Sequence, residues 1–148
     1  MKIIQYLSTL VVAVSLSVHG DEDLPLSTQI VQDARSECAS FEGGDFASTE
    51  QTILLKDLTG DGRPEKIVDA SQFSCSTAAS MWGGTGGTQL WVVVDGEKFE
   101  FLAHQWQVVD MKGKNILILA VHSSQCSDTI GPCYRALVWD EGKFRTTR

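Results

Sequence analysis

Basic residues and prolines are both scarce in this chain of 148 residues. The sequence holds 12 Lys and Arg against 19 Asp and Glu, so its formal net charge is -7. That charge makes nucleic acid or an anionic membrane surface a poor partner. With only 3 prolines and 43% hydrophobic residues, the composition also excludes a low-complexity or disordered chain. We therefore expect a folded, acidic protein.

Long apolar runs are missing after the first twenty residues, and a membrane-spanning helix needs about 18–20 such residues in a row. Residues 1–20 differ, because an uncharged and mostly apolar stretch follows Lys2. The small residues Val18 and Gly20 suit the -3 and -1 positions of a signal peptidase site. Polar interruptions argue against the alternative, a membrane anchor. We predict a signal peptide over 1–20 and an exported domain over 21–148, periplasmic or secreted and not inserted in a membrane.

Closely spaced cysteine pairs are also missing, and this argues against a zinc site, which needs ligand pairs such as C-x2–4-C. The four cysteines all follow the leader, and their even number predicts two disulfides in an oxidising compartment. Four cysteines allow three pairings, and the sequence leaves them open. A Gly-Pro turn signal favours Cys126–Cys133, and this choice leaves Cys38 to pair with Cys75.

The remaining pattern is mostly that of strands. Apolar residues at helical spacing predict one helix over 28–39, with Ser27 as its N-cap. Short apolar runs separated by turn signals then predict strands. These runs lie at 53–55, 67–68, 89–94, 99–102, 115–121 and 134–139, and Phe144 marks a last one. We predict a mainly β, single small domain of six to eight strands with one short N-terminal helix. Its antiparallel sheets would form a sandwich or a propeller-like stack.

The segment DLTGDGRPE, residues 57–65, carries the clearest chemistry in the chain. Oxygen-bearing side chains stand at its positions 1, 3, 5 and 9, and a glycine stands at position 6. A hard cation such as Ca²⁺ prefers six or more oxygen ligands, which a tight loop can direct inward. The segment is not an EF-hand, because Val68 occupies the position of the bidentate Glu. The alternative is a loop held by Asx-turns that needs no metal.

Residues 57–68, DLTGDGRPEKIV, resemble the D-L-N-G-D-G-x-x-D loop of FG-GAP (integrin-alpha-like) repeats, in which a hairpin loop holds calcium. The resemblance implies a set of ligands for Ca²⁺ by position. These are the side chains of Asp57, Thr59, Asp61 and Glu65 and the carbonyl of Arg63. Thr and Glu replace the family's usual residues at two positions, and the chain has one such loop where the family usually has several. Elsewhere the chain resembles small exported bacterial proteins, a likeness that implies no activity.

Two weaker features complete the candidate sites. The glycine run at 82–88 could hold an anion on its N–H groups, but a flexible loop or a close approach of strands explains it better. Trp82 and Trp106 are predicted to be exposed as a recognition edge, whereas Trp91 and Trp139 have the apolar neighbours of core residues.

Two hypotheses of function follow from these observations. The first is an exported, non-catalytic binding domain with a structural calcium loop, whose acidic surface suits a basic protein partner. The alternative is a small exported hydrolase that uses His122 or a metal-held water near Asp61. A hydrolase would bring the 57–65 loop, His122 and the 82–88 glycines into one pocket.

Overall fold

Antiparallel strands make up most of the computed structural model, which describes residues 24–127 and 133–147. The signal peptide predicted over 1–20 lies outside these residues. The single α-helix of the described part is α1 (Leu26–Ser40). The strands are β1 (Phe46–Ser48), β2 (Ile53–Lys56), β3 (Glu65–Asp69), β4 (Phe73–Cys75), β5 (Gly83–Gly84), β6 (Gly87–Val94), β7 (Glu97–Ala103), β8 (Gln105–Met111), β9 (Lys114–Val121), β10 (Cys133–Asp140) and β11 (Lys143–Thr146). No helix among the described residues is long and apolar enough to cross a membrane.

The helix begins two residues earlier than predicted, and its N-cap is not Ser27. Pro25 holds that position, and its carbonyl accepts the N–H of Thr28 at 2.7 Å. Proline suits a helix start because its ring fixes φ and it has no N–H to leave unpaired. Ser27 lies inside the first turn and is buried. The predicted apolar stripe is confirmed, since three residues four apart face the interior: Ile30, Ala34 and Cys38.

Two large sheets pack face to face. The first has the order β2-β3-β6, with β7 and the short β5 also paired to β6, and the second has the order β11-β10-β9-β8. One hydrophobic cluster joins their facing sides and includes Ile67, Val92 and Leu117, each 0% exposed. This sandwich of antiparallel sheets with one N-terminal helix confirms the predicted fold class. The propeller-like alternative does not describe a stacked pair of sheets.

The opposite face of the first sheet is covered by α1 and by the small sheet of β1 and β4. A second hydrophobic cluster fills this interface, with Val68 and Trp91 from the sheet and Cys38 from the helix. The first sheet therefore lies in the middle of three layers. Adjacent residues such as Ile67 and Val68 are both 0% exposed because each face of the sheet is covered.

The described residues form eleven strands, so the prediction of six to eight was too low. The strands missed are β1, β4, β5 and β8. The first three have only two or three residues, and β8 alternates polar and apolar side chains without a long apolar run. Only β1 and β4 pair across a long stretch of sequence, whereas β5 and β8 pair with the strand that follows them; what all four lack is an apolar run that marks a strand locally.

Three hairpins share the same two-residue turn. Asp95-Gly96, Lys112-Gly113 and Glu141-Gly142 all have positive φ at both positions. This geometry matches the right-handed twist of paired strands and favours glycine at the second position. The turn signals between the predicted strands 89–94 and 99–102, and between 134–139 and Phe144, therefore form hairpins.

Both disulfides favoured by the sequence are present. Cys38 and Cys75 link α1 to β4 with a Cα–Cα distance of 5.7 Å, and Cys126 and Cys133 are linked at 6.1 Å. No free cysteine occurs in the described part of the chain. Two disulfides fit an oxidising compartment.

Candidate cation site

The loop between β2 and β3 gathers three carboxylates. One oxygen from each of Asp57, Asp61 and Glu65 lies within 4.8 Å of the other two. Asp61 is exposed, Asp57 is half-buried, and Glu65 is 8% exposed. The fourth predicted side-chain ligand joins these three, since the Thr59 hydroxyl lies 3.3 Å from Oε1 of Glu65. Their hard oxygen atoms are the ligand type that Ca²⁺ prefers.

Backbone groups of the loop hold the Glu65 side chain in place by hydrogen bonds. Its Oε2 accepts the backbone N–H groups of Leu58 and Thr59, the latter at 3.1 Å, and its Oε1 lies 3.3 Å from the Thr59 hydroxyl. Leu58 is 2% exposed and belongs to the core between the two large sheets. The loop is thus anchored at both ends, by the Leu58 side chain and by the first residue of β3.

Asp57 shapes the tip of the loop. Its Oδ1 accepts the N–H of Gly60 at 2.7 Å, and its Oδ2 accepts the N–H of Gly62 at 3.1 Å. Both glycines have a positive φ, 79° and 84°, a backbone conformation that other residues adopt only with strain. These are the Asx-turn contacts that the metal-free alternative predicts. They also hold the carboxylate of Asp57 in place.

Asp61 pairs with Arg63, a contact that the sequence analysis did not predict. Its Oδ1 accepts the Arg63 N–H at 2.8 Å, and its Oδ2 lies 2.7 and 2.9 Å from guanidinium nitrogens. The backbone N–H and guanidinium of Arg63 hold the pKa of Asp61 below its ordinary value of 3.8. The carboxylate raises the pKa of Arg63 in return. A bound cation would compete with this guanidinium for Asp61.

The loop also borders a cavity of about 520 Å³ formed with the second large sheet. Thr59 and Gly60 line one side, and Asn115, Trp139 and residues near them line the other. No sequence signal connects these segments, because they lie more than fifty positions apart. The sandwich brings them together.

Trp82 is not exposed, so its prediction as part of a recognition edge was wrong. It is 7% exposed and packs edge-on against Phe46 and Phe73, with ring centroids 5.6 and 5.2 Å away. Its indole N–H donates to Glu37 at 2.9 Å. Trp106 is half-buried, and its N–H donates to Asp69 at 2.8 Å. Buried indoles commonly find such a partner, and here both partners come from distant segments.

We expect Trp82→Phe to destabilise the protein by about 1.5–3 kcal/mol, because the Glu37 carboxylate loses its charge-assisted hydrogen bond while most ring packing remains. Urea unfolding monitored by circular dichroism measures this loss. Glu37→Gln keeps a hydrogen-bond acceptor for the indole, so it should lower the free energy of unfolding less than Trp82→Phe does. Equal stability of Trp82→Phe and wild type would contradict the structural role assigned to Trp82.

The three features that a hydrolase would bring together are separate. Gly83 and Gly84 line a cavity of about 320 Å³ that does not include the 57–65 loop, and His122 lines neither cavity. The Nδ1 of His122 instead accepts the N–H of Ser124 at 3.2 Å and lies 2.8 Å from its hydroxyl, as the cap of a 3₁₀ helix.

Of the two structures predicted for the glycine run, a flexible loop or a close approach of strands, the second is present. Gly83-Gly84 pairs with the start of β6, and a Cβ on Gly87 would lie 2.7 Å from the carbonyl carbon of Ala103. A side chain at Gly87 would therefore clash with the backbone of β7. The run serves strand packing at this point.

Comparison of this chain with protein-family models, with curated proteins and with solved structures gives no match.

Proposed function

We propose that this protein is an exported, non-catalytic binding domain in which the 57–65 loop holds Ca²⁺ as a structural ion. The observation that supports this most directly is the convergence of Asp57, Asp61 and Glu65 within 4.8 Å. Three carboxylates at this separation repel one another, and the Arg63 guanidinium neutralises one of them, Asp61. The hydroxyl of Thr59 and the carbonyl of Arg63 are the further oxygen ligands that we propose.

The loop and the compartment that we propose are compatible. Extracellular calcium modules bind with dissociation constants of about 10⁻⁴ to 10⁻³ M, which suits an environment rich in calcium. The two disulfides fit an oxidising environment of the same kind, and we propose a periplasmic or secreted location. Between the end of β2 and the start of β3, the ion would stabilise a connection whose only buried side chain before Glu65 is Leu58.

The binding role rests on surface charge. Residues 24–104 contain twelve acidic and five basic side chains, whereas residues 105–147 contain four acidic and five basic ones. The helix and the first large sheet therefore carry most of the excess negative charge. A basic protein is the partner that this half would attract by electrostatic steering.

The hydrolase alternative has one contact in its favour, the 2.8 Å approach of His122 to the Ser124 hydroxyl. A cap of the 3₁₀ helix accounts for that contact fully, because the same nitrogen accepts the N–H of Ser124. We therefore propose binding rather than catalysis.

We expect 5 mM CaCl₂ to stabilise the protein over residues 21–148 by about 1–2 kcal/mol, given a dissociation constant of about 10⁻⁴ to 10⁻³ M. For a domain of this size the melting temperature should rise by about 4–8 °C. Differential scanning calorimetry with CaCl₂, with MgCl₂ and with EGTA measures the effect. Mg²⁺ should give a smaller rise, because it demands a more regular octahedron of ligands.

Asp57→Asn and Asp61→Asn should each remove most of this calcium-dependent rise. Asp110→Asn is the matched control, because the Asp110 carboxylate accepts the N–H of Gly113 at 3.3 Å in another hairpin turn. Arg63→Gln keeps the carbonyl and removes the competing guanidinium, so its calcium affinity should increase. A wild-type melting temperature that is equal in CaCl₂ and EGTA would refute the calcium proposal.

The binding proposal is tested by capture from the cell envelope with the immobilised 21–148 domain. A specific partner should be basic, and its capture should decrease as the salt concentration rises, because exposed charges are screened. Capture that is dominated by acidic proteins, or that does not respond to salt, would contradict the assigned surface.

A further inference from the structure

The strand β7 has a free edge. Among the described strands it pairs with β6 alone, through a two-residue turn that makes Val94 and Glu97 a hydrogen-bonded pair. From this register, the backbone groups of Lys98, Glu100 and Leu102 point away from β6. No described residue forms a backbone hydrogen bond with them outside the sheet. A row of free N–H and C=O groups of this kind can pair with another extended chain.

A groove of about 390 Å³ lies beside the second half of this edge. Residues 100–102 of β7 line one side, and Leu119, Val121 and Arg135 from the second large sheet line another. Gln89 and Gln125 complete the lining. The groove is therefore bounded by the strand edge, by apolar side chains and by a few polar groups.

Arg135 is unusual in its position on β10. It pairs in register with Leu119, so its side chain lies on the inner face of the sheet, between Cys133 and Leu137, which are each 3% exposed. Its guanidinium donates to the Thr146 hydroxyl at 3.0 Å. Among the described residues it forms no ion pair with a carboxylate.

Among the described residues, Glu100 is the one carboxylate that lines the groove, and it does not pair with this guanidinium. Glu100 pairs instead with Lys98 at 2.7 Å, a contact that also lowers the pKa of Glu100. Within the part of the chain that the structure describes, the Arg135 guanidinium is therefore a positive charge without a carboxylate partner. A planar guanidinium in this state is suited to binding a carboxylate through two parallel hydrogen bonds.

We propose that this groove binds an extended, carboxylate-bearing segment of a partner protein, which adds as a strand along residues 98–102 and directs one Asp or Glu to Arg135. The free backbone groups would supply the pairing, and Arg135 the specificity. The charges of Lys98 and Glu100 protect the first half of the edge from indiscriminate pairing. Leu102, which is 46% exposed, leaves the second half apolar and accessible.

A displayed library of random eight-residue peptides, screened on the disulfide-bonded 21–148 domain, tests this proposal. We expect enrichment of extended sequences with one Asp or Glu among β-branched residues. Binding of a selected peptide should weaken about tenfold or more in Arg135→Gln, since the charged contact is lost. Arg145→Gln is the matched control, because Arg145 is already paired with Asp140 and Glu141 and does not line the groove.

A second measurement separates strand addition from any other contact and does not depend on a variant. Bound peptide should slow amide hydrogen exchange at Lys98, Glu100 and Leu102, and N-methylation of alternate peptide amides should abolish binding. Peptides selected without acidic residues, an unchanged affinity in Arg135→Gln, or no protection at these three amides would each overturn the proposal. The calcium measurement leaves this outcome unaffected, because the 57–65 loop does not line the groove.

Discussion

Replacing Cys38 and Cys75 together by serine is expected to lower the free energy of unfolding by about 4 kcal/mol. The bond closes a loop of 37 residues, and the chain-entropy model assigns about this value to a loop of such length. It also fixes α1 to the small sheet of β1 and β4, and Cys38 is 0% exposed within the second hydrophobic cluster. Urea unfolding at equilibrium measures the difference.

The matched control is the double replacement of Cys126 and Cys133, whose loop spans only 7 residues. The same model gives about 2.5 kcal/mol for this loop, so the two variants should differ by more than 1 kcal/mol. The order of the two losses of stability tests the model more sharply than either value alone. A larger loss for Cys126 and Cys133 than for Cys38 and Cys75 would show that loop length does not govern stability here.

Leu117→Ala should destabilise the protein by about 2–5 kcal/mol. Leu117 is 0% exposed between the two large sheets, so truncation removes buried apolar contacts and leaves a cavity that the sandwich cannot fully close. Chemical denaturation gives the change in free energy. A shift in midpoint with an unchanged denaturant dependence would indicate that only native stability is affected.

Ile118→Ala is the control for Leu117→Ala, because the two residues are neighbours on β9 and their side chains point to opposite faces. Ile118 is half-buried on the outer face of the second sheet, beside Gln107 and Ala136. Ile118→Ala should lower the free energy of unfolding clearly less than Leu117→Ala does. Equal losses would mean that the outer face is covered in solution by another part of the chain or by a partner.

This pair also shows how far the sequence predicted burial. The run NILILAV is apolar at every position after Asn115, which predicts a strand without indicating which face is covered. In the structure Leu117, Leu119 and Val121 are buried, whereas Ile116 and Ile118 are half-buried. This run does not alternate between polar and apolar residues. Only the packing of the second sheet therefore shows which of its side chains face the core.

The sequence predicted the ligand residues of the 57–65 loop but not all of their contacts. Asp57, Asp61 and Glu65 converge because the glycines between them and the short hydrogen bonds of the loop are encoded within nine residues. The ion pair of Arg63 with Asp61 was missed, although the two residues are close in sequence. The ligand pattern of the loop concerns the backbone carbonyl of Arg63, whereas the ion pair depends on its side chain.

The tryptophans illustrate the opposite case. Trp82 stands in a glycine-rich segment, which is typical of an exposed loop, yet it is buried against Phe46 and Phe73. Its hydrogen-bond partner, Glu37, lies 45 positions away on the helix. Nothing in the neighbouring sequence could indicate a carboxylate that the tertiary structure supplies.

The sequence by itself determined the features that depend on short-range chemistry. These are the helix and its apolar stripe, the two-residue hairpin turns, the oxygen-rich loop at 57–65 and the number of cysteines available for bonding. The tertiary structure alone decided that Trp82 is buried, that Arg135 faces a groove and that the edge of β7 is free. Local hydrogen bonds and backbone preferences act over a few residues, whereas burial and edge pairing depend on which distant segments pack together.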